Sequence, residues 1–408
     1  RSDQIALIAN QVPGGHSNIQ DIYPLTPLQE GILFDHLVSE VGDTYLASIL
    51  LGFETKEILD RYLSALRQLI GRHDSLRTAI LWEDLPRAIQ VVYKNAELET
   101  INVDLNPNRD AVEQFEEMMG LEGRHIDLRK APIVGLMIAK NPENGMWLVL
   151  QQQHHLICDQ VSMEIEFGDI VAFWNNKGES LEPPVPYREF GAHTMHRAET
   201  CDAQEYFRKS LAGVDEPTAP FGLMDIYRGG KSTTEFEYTL ATELTQRLRR
   251  SAYTLGASPA AIFHLAWGLV LARCCNRDDV VFGTVTSGRL QGTNGADRIF
   301  GLFINMLPFR LPMAHLSVAD ALTFTREKLV ELLNYEQAPL VEVQRCSELP
   351  GSTPLFSAIL NFRHDANRKV DLENVIEGVK LLKAPGDISN YLFDMSVSDE
   401  GTGFTLTA

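Results

Sequence analysis

Two adjacent histidines followed by an aspartate form the most chemically suggestive pattern in this sequence. His154 and His155 close an apolar run, and Asp159 stands four residues after the second histidine. An imidazole can take up or release a proton near neutral pH, so the stretch suits general acid–base or electrostatic catalysis. Neighbouring side chains of a strand point to opposite faces, so we expect one histidine to face the interior and the other to be available for chemistry. The same divergence disfavours a metal site built on the pair, and no metal is predicted.

These residues also have a purely structural interpretation. Asp159 precedes a helical pattern that begins near Ser162, where it could cap the helix or pair with an arginine. A buried histidine with satisfied hydrogen bonds and a capping aspartate explain the stretch about as well as catalysis does. Cys158 is a candidate nucleophile, but a small buried hydrophobic residue is the more common role of such a cysteine.

Length, composition and charge limit the class of protein. The chain has 408 residues, of which 44% are hydrophobic and 22% charged, as is typical of a soluble globular protein with room for two cores. A formal net charge of −19 disfavours nucleic-acid binding, which depends on Lys and Arg. No apolar run reaches the length of a membrane span. The chain begins with Arg1 and has no signal-peptide pattern, so we expect a piece cut from a longer polypeptide.

The cysteines predict neither a disulfide framework nor a zinc site, because their number is odd and they contain no C-x-x-C pair. A reducing cytosol fits this pattern best, so the predicted location is cytoplasmic. The cysteines are Cys158, Cys201, Cys274, Cys275 and Cys346.

Helical and strand patterns alternate along both halves of the chain and predict a mixed α/β fold in two lobes. The segments "APIVGLMIAK" and "GMWLVLQQQHH" predict a β-hairpin whose second strand carries the histidines. A polar, Pro-rich linker at 175–187 indicates a domain boundary. We therefore expect an N-terminal lobe at 1–178 and a C-terminal lobe at 179–408, with a Gly-rich bridging loop near 288–300.

Five motifs in this order resemble those of the condensation domains of nonribosomal peptide synthetases. Their order and spacing fit over essentially the whole chain, which makes the resemblance far more specific than the histidine motif alone. The motifs are "YPLTPLQEGILF" (23–34), "RHDSLRTAI" (72–80), "HHLICD" (154–159), which matches HHxxxD, "YREF" (187–190) and "FGLFINMLPFR" (300–310).

The resemblance implies a fold, an activity and a set of partners. It implies two lobes that resemble chloramphenicol acetyltransferase and form a V-shaped pseudo-dimer around a tunnel. The implied reaction joins a donor aminoacyl or peptidyl thioester to the amine of an acceptor aminoacyl thioester. The implied partners are upstream donor and downstream acceptor peptidyl carrier domains and a neighbouring adenylation domain. Substrates arrive on phosphopantetheine arms, and the domain itself binds no cofactor, nucleic acid or membrane.

The resemblance also assigns roles to particular residues. His155 is the implied catalytic histidine, either as a general base or as a positioning and electrostatic group. His154 is expected to orient the strand from its other face. Asp159 is expected to be structural and paired with an arginine of the second motif, Arg77 in preference to Arg72, although an exposed helix-end charge is the alternative for both arginines.

Two residues of the C-terminal half are further candidates. Ser287 and Asn305 flank the bridging loop and are candidates to line the tunnel, with core-facing or edge roles equally open.

The residue after Asp159 is a departure from the family pattern. The family usually has glycine there, and this chain has Gln160, which lacks the freedom of glycine at positive φ. The substitution removes no catalytic group, but it leaves the subclass open.

A second histidine motif near the N-terminus resembles that of dual condensation/epimerization domains. That motif has two histidines, then Leu or Ile, four residues and Gly-Asp. His36, Gly42 and Asp43 match it on the donor side, while Asp35 replaces the first histidine. The alternative is a helix end with Gly42 as an ordinary C′ glycine. The resemblance favours epimerization of the donor Cα before condensation.

Several other functions remain open from sequence. The chain could condense without epimerization, or it could be a starter acyltransferase that uses acyl-coenzyme A. A third possibility, from a different class, is a catalytically idle module that only docks carriers. The intact HHxxxD stretch argues against an idle module, because such a module has no need of the histidine pair.

Overall fold

A computed structural model describes residues 2–38, 42–120, 126–200, 202–224, 234–289, 295–350, 353–364, 375–383 and 391–408. The chain divides into two compact units. The first contains Arg1–His193, Thr293–Phe303 and Val370–Ile388, and the second contains Thr194–Gly292, Ile304–Lys369 and Ser389–Ala408. The predicted boundary between 178 and 179 lies before His193, where the first stretch of the first unit ends. Each unit is built from three separate stretches of the chain.

The helices and strands of the described residues alternate along the chain, as the sequence predicts. The helices are α1 Ser2–Gln11, α2 Pro27–Val38, α3 Lys56–Arg72, α4 Ala111–Met119, α5 Gln160–Trp174, α6 Tyr187–Thr200, α7 Ala203–Ser210, α8 Thr242–Thr254, α9 Pro259–Cys275, α10 Val318–Leu332 and α11 Leu340–Gln344. The strands are β1 Ile19–Pro24, β2 Leu46–Phe53, β3 Thr78–Leu81, β4 Ile89–Tyr93, β5 Ile101–Asn102, β6 Val134–Lys140, β7 Trp147–His154, β8 Glu237–Thr239, β9 Asp279–Thr286, β10 Asn305–Pro312, β11 Ala358–His364, β12 Val379–Lys383, β13 Phe393–Asp399 and β14 Phe404–Thr407.

The first unit contains two sheets in its described part. Strands β1, β4 and β3 form a small antiparallel sheet. The larger sheet has the order β12-β2-β7-β6-β5, so the histidine strand β7 lies at its centre between β2 and β6. The predicted hairpin of β6 and β7 is confirmed. Leu46 of β2 faces His154 of β7 in the register, which places the start of one strand beside the end of the other.

The second unit is built on one mixed sheet in the order β10-β9-β11-β13-β14-β8. Its helix α9 begins as the sequence predicts, with Pro259 in the first turn and the Ser258 hydroxyl accepting a hydrogen bond from the Ala261 amide. One face of α9 is buried in the core, whereas Leu269 and Val270 are partly exposed. The segment "SPAAIFHLAWGLVLARCC" is apolar nearly all round and so predicts a buried central helix, and this prediction is wrong for the face that carries Leu269 and Val270.

The part of the chain that the structure describes has no single helix long and apolar enough to span a membrane. Helices α8 and α9 are long and apolar enough only when taken together, and the pair is bent by 107°.

Helix α5, which follows the histidine motif, buries a polar face. Ser162, Glu166 and Asp169 are spaced one and two turns apart and are all buried, although Ile170 and Trp174 are buried beside them. The apolar residues Met163, Phe167 and Phe173 are only half-buried. The spacing of Met163, Phe167, Ile170, Phe173 and Trp174 predicts an apolar face, but only Ile170 and Trp174 of these are buried, because the polar residues bind groups inside the unit.

The fifth motif begins as an irregular segment and not as a strand. The apolar segment "FGLFINMLPFRL" predicts a strand from Phe300 onward, but strand β10 starts only at Asn305, so that prediction is wrong for 300–304. The backbone polar groups of 300–303 form hydrogen bonds with side chains of the first unit instead of a sheet. The Phe300 carbonyl accepts from the Ser75 hydroxyl at 2.6 Å, and the Leu302 carbonyl accepts from the Tyr187 hydroxyl at 2.6 Å.

The HHxxxD region completes the hydrogen bonds of this segment. The Gly301 amide donates to the Ser162 hydroxyl oxygen at 3.0 Å, and the Phe303 amide donates to the Asp159 carboxylate at 3.2 Å. Buried backbone groups need such partners, because an unpaired one costs as much as a lost hydrogen bond. Residues of four motifs are thus joined around one buried segment.

Glycine is required at position 301 because the ring of Tyr187 lies too close to leave room for a side chain. A methyl group at this position would overlap the buried ring of Tyr187. We expect Gly301→Ala to lower the free energy of unfolding by at least about 2 kcal/mol, because overpacking in a rigid interior forces neighbours to shift. Chemical denaturation of the purified variant measures this loss.

Gly168→Ala is the matched control. Gly168 is exposed on α5, and an added methyl group would meet no atom within 4 Å. This variant should gain up to about 1 kcal/mol from helix propensity. Equal stability of the two variants would contradict the account of Gly301.

Candidate active site

His154 is a fully buried group at the end of β7, held in one tautomer. Its Nδ1 accepts a hydrogen bond from the Leu156 amide at 3.0 Å, so Nδ1 carries no proton. The proton of the neutral ring therefore lies on Nε2, which is 2.7 Å from the Asp43 carboxylate and donates to it. Burial lowers the pKa of His154, against the opposing effect of Asp43. The prediction that this histidine faces the interior agrees with its burial.

Asp43 is a buried carboxylate that contacts His154, His36 and Tyr45. Its Oδ2 accepts from His154 and lies 2.5 Å from Nδ1 of His36, while its Oδ1 accepts from the Tyr45 amide at 2.9 Å. Burial opposes ionisation of Asp43, but the hydrogen bonds from His154 and His36 outweigh it and hold the pKa of Asp43 well below its usual range. The carboxylate is therefore ionised at neutral pH.

His155 is half-buried and follows the last residue of β7. Its amide donates to the Tyr45 carbonyl at 2.8 Å, which continues the pairing of β7 beside β2 by one residue. Its ring Nδ1 lies 3.3 Å from the Cys158 carbonyl, so Nδ1 must be the protonated nitrogen of a neutral ring. Nε2 is then the basic nitrogen. A neutral imidazole held in this way can accept a proton at Nε2.

Asp159 caps helix α5, as the structural interpretation of the sequence predicts. Its Oδ1 accepts from the amide and the hydroxyl of Ser162, at 2.9 and 2.8 Å, and its Oδ2 accepts from Phe303. Gln160 is the first residue of the helix and exposed. A helical position does not need positive φ, so glutamine fits here without strain.

The predicted ion pair between Asp159 and Arg77 is wrong. The buried guanidinium of Arg77 donates to Gln20 at 2.7 Å, to Ile70 at 3.1 Å and to the Tyr93 carbonyl, which are the groups around the small sheet. Burial lowers the pKa of Arg77. Sequence distance could not reveal that backbone carbonyls and the Gln20 side chain accept from this arginine, and that the carboxylate acting on it electrostatically is Asp74 and not Asp159.

Arg72 is the arginine of the motif that binds a buried carboxylate, and that carboxylate is Asp169 of α5. Arg72 Nε and His73 Nε2 each lie 2.8 Å from the same Asp169 oxygen. The partly buried position rules out the interpretation of Arg72 as a freely exposed helix-end charge. The pair connects the end of α3 to α5.

The second histidine motif converges on the first. Helix α2 is described as far as Val38, and residues 39–41 lie outside the described residues, so the interpretation of Gly42 as a helix-end glycine stays a prediction. Gly42 has φ of 129°, a value that favours glycine. Asp35, in place of the first histidine, is half-buried and accepts from the Tyr45 hydroxyl at 2.9 Å. Burial raises the pKa of Asp35.

His36, Asp43 and His154 have ligand atoms within 4.8 Å of one another, a spacing at which three such groups could hold a metal ion. Ligand atoms around a tetrahedral zinc ion are about 3.3 Å apart, but the two distances to Asp43 here are 2.5 and 2.7 Å. A histidine that binds metal through Nε2 donates its Nδ1 proton to an acceptor, whereas Nδ1 of His154 faces the Leu156 amide donor. The geometry is that of a hydrogen-bonded triad.

The predicted tunnel residues belong to the second unit. The buried Asn305 side chain donates to the Glu336 and Ala338 carbonyls, both at 2.8 Å, which gives its amide group a structural role. Ser287 is exposed and accepts from the Arg289 amide at 3.4 Å. Residues 290–294 of the predicted bridging loop lie outside the described residues.

Glu166 is a buried carboxyl group that sequence reasoning missed. Its Oε1 accepts from Gln151 of β7 at 2.7 Å, and the Tyr62 hydroxyl donates to the same glutamine at 2.7 Å. Burial raises the pKa of Glu166 to about 7. The signal available in the sequence is the i, i+4, i+7 spacing of Ser162, Glu166 and Asp169.

Cys158 is fully buried, and burial raises the pKa of its thiol well above the usual value. A thiolate nucleophile is therefore not available at neutral pH. The interpretation of Cys158 as a small buried hydrophobic residue is confirmed.

Solved structures define the class of fold. The cyclization-docking bidomain of the EpoB nonribosomal peptide synthetase from Sorangium cellulosum superposes with a TM-score of 0.72 at 17% identity, covering 95% of this chain and 79% of that one. The starter condensation domain of rhizomide synthetase, a mutant in complex with C8-CoA, superposes with a TM-score of 0.69 at 18% identity, covering 96% and 88%. The predicted mixed α/β fold of this class is confirmed.

The sequence comparisons define the family. The family model "Condensation domain" matches residues 19–408, and the chain belongs to this family. Malpibaldin synthetase of Mortierella alpina is 41% identical over 404 residues, which cover 99% of this chain and 7% of that protein. Malpinin synthetase of the same organism is 40% identical over 407 residues, which cover all of this chain and 5% of that protein.

Membership of the family carries general properties. The chain is a condensation domain of the type found in nonribosomal peptide synthetases, and such domains transfer acyl or peptidyl groups. They act on substrates carried on phosphopantetheine arms of carrier domains, in modules that also contain adenylation domains. The chain spans less than a tenth of the length of the two relatives named above.

Glu166 makes the stability of the protein depend on pH. The folded state keeps this proton up to about pH 7, whereas the unfolded chain releases it near the ordinary value of 4.5. Stability from this group is therefore lost as pH rises from about 4.5 to about 7. Glu166→Gln mimics the protonated acid and should be more stable than wild type, by about 1 kcal/mol at pH 5.5 and about 3 kcal/mol at pH 8.

Denaturant unfolding at both pH values measures this difference. Glu179→Gln, at an exposed site outside the buried cluster, is the control and should show no change between the two pH values. A Glu166→Gln effect that is the same at pH 5.5 and pH 8 would show that Glu166 does not retain its proton in the folded protein.

Proposed function

We propose that the chain forms a peptide bond between a donor aminoacyl or peptidyl thioester and an acceptor aminoacyl thioester, each presented by a carrier domain. His155 is the catalytic residue in this proposal. The observation that carries it is the difference in burial of the two histidines: His154 is fully buried, while the ring of His155 is half-buried and held at Nδ1 by the Cys158 carbonyl, with Nε2 as its basic nitrogen.

The geometry of His155 supports a direct role toward the acceptor amine. The ring is held through Nδ1 by the Cys158 carbonyl, and its backbone is held by Tyr45. Nε2 can take the proton that the amine loses as it attacks the thioester carbonyl, or it can stabilise the ammonium that forms first. Either role needs the same fixed ring. The acyl group passes to the acceptor amine, and the donor thiol leaves as the free phosphopantetheine arm.

We also propose that the domain epimerizes the donor residue before condensation. The contacts of Asp43 with His36 and His154 support this dual activity, because they join the second histidine motif to the first. The α-proton of a thioester is acidic enough for a positioned base to remove it, and reprotonation on the other face gives the D-residue. His155 is the base candidate. Asp35, in place of a histidine, makes condensation without epimerization the main rival.

Removal of the imidazole tests condensation. His155→Ala should slow transfer between loaded donor and acceptor carriers by about 10²-fold or more, the range of general acid–base catalysis, with little change in melting temperature. His193→Ala, at another half-buried histidine, is the control and should transfer at the wild-type rate. Near-normal transfer by His155→Ala would overturn the catalytic assignment, and an idle docking module would show no transfer even as wild type.

Solvent deuterium tests epimerization. With L-aminoacyl donor carriers in deuterated water, dual activity should give a product that carries deuterium at the donor Cα and has the D configuration. Mass spectrometry and chiral analysis of the hydrolysed product measure both. An unlabelled L-configured product would contradict dual activity and leave condensation alone, while transfer from acyl-coenzyme A without a donor carrier would indicate a starter acyltransferase.

A further inference from the structure

Two hydrogen-bonded routes connect Asp43 to His155, one through His154 and one through Tyr45. Its Oδ2 binds the ring of His154, the residue before His155, and its Oδ1 binds the amide of Tyr45, whose carbonyl accepts from the His155 amide. His36 adds a second imidazole at Oδ2. One carboxylate therefore lies between the second histidine motif and the strand end that carries the first.

We infer that Asp43 is a positioning residue for His155, acting through His154 and through the backbone of Tyr45. The inference rests on the proposed catalytic role of His155 and gives the Asp of the second histidine motif a role in condensation, separate from any role in epimerization.

The first route fixes the turn that carries His155. Asp43 holds the His154 proton on Nε2, which leaves Nδ1 to accept from the Leu156 amide. The His154 carbonyl accepts from Ile157 at 3.1 Å, and the turn ends at Cys158, whose carbonyl holds the His155 ring. If the His154 proton moved to Nδ1, it would face the Leu156 donor, so the turn and the His155 ring would have to shift.

The second route fixes the backbone at the strand end. Asp43 Oδ1 accepts from the Tyr45 amide at 2.9 Å, and the Tyr45 carbonyl accepts from the His155 amide at 2.8 Å. The Tyr45 hydroxyl donates to Asp35 at 2.9 Å, so the ring of Tyr45 is held from α2 as well. The aspartate that replaces the first histidine of the dual motif therefore supports this network and does not interrupt it.

A carboxylate is the group that this position requires. The amide of Tyr45 and the ring of His154 are donors at two different oxygens, with His36 beside the second. Asparagine has the same shape but offers one oxygen and one NH₂ group, so at least one contact would bring two donors together. Asp43→Asn thus removes one of the two acceptors and leaves the volume nearly unchanged.

Nuclear magnetic resonance of the 408-residue chain labelled with ¹⁵N and ¹³C in histidine tests the inference. Wild type should show His154, assigned by its loss in His154→Gln, as the Nε2–H tautomer. Asp43→Asn should shift His154 toward the Nδ1–H tautomer or a mixture. The same variant should lower kcat for transfer between L-aminoacyl carriers by about 10-fold or more, with KM for both carriers within about twofold of wild type.

Asp169→Asn is the matched control, because Asp169 is also a buried carboxylate with two donors, His73 and Arg72, in the same unit. It should lower the melting temperature without changing the His154 tautomer, and its kcat should fall less than that of Asp43→Asn. Equal losses of kcat in both variants at equal losses of melting temperature would overturn the inference, as would an unchanged tautomer or an unchanged kcat in Asp43→Asn.

Two outcomes keep the inference separate from the proposed function. If Asp43→Asn does not fold, wild type alone still decides, because an Nδ1–H tautomer of His154 overturns the inference without any variant. Normal transfer by His155→Ala overturns the proposed function, whereas the tautomer measurement needs no substrate and reports on Asp43 directly.

Discussion

The buried backbone of residues 300–303 is the constraint on which the first unit depends. This segment is not part of a strand, and its carbonyl and amide groups form hydrogen bonds with side chains from elsewhere in the chain. Ser75 and Tyr187 donate to its carbonyls, and Ser162 and Asp159 accept from its amides. An unpaired polar group at such a depth is costly. Loss of any one of these side chains therefore weakens a network shared by four sequence motifs.

In the histidine motif, too, one carboxylate accepts hydrogen bonds from several parts of the chain. Asp159 caps α5 with one oxygen and binds Phe303 with the other, so the helix start and the buried segment share one carboxylate. Asp43 similarly joins His154 and Tyr45. The consequence for function is that His155 sits on a turn whose ends are fixed by groups from three separate parts of the chain. A fixed imidazole is what proton transfer from the attacking amine requires in the proposed reaction.

The sequence predicts local structure well and the partners of buried charges poorly. Helix α3, the β6–β7 hairpin and the cap at Asp159 follow from periodicity and capping chemistry within a few residues of each element. Periodicity and capping do not identify which arginine binds a buried carboxylate. Arg77 binds carbonyls and Arg72 binds Asp169 through contacts that form only once the chain has folded. The polar buried face of α5 was missed for the same reason, since burial there depends on groups far away in sequence.

Hydrogen exchange of the Gly301 and Phe303 amides tests the central claim most directly. Both amides donate to side chains of the HHxxxD region, so in wild type they should exchange as slowly as amides of β7, through global unfolding. In Asp159→Ala, the Phe303 amide loses its acceptor and should exchange faster than the β7 amides. Exchange of both amides in wild type at the rate of an unprotected loop would contradict the account.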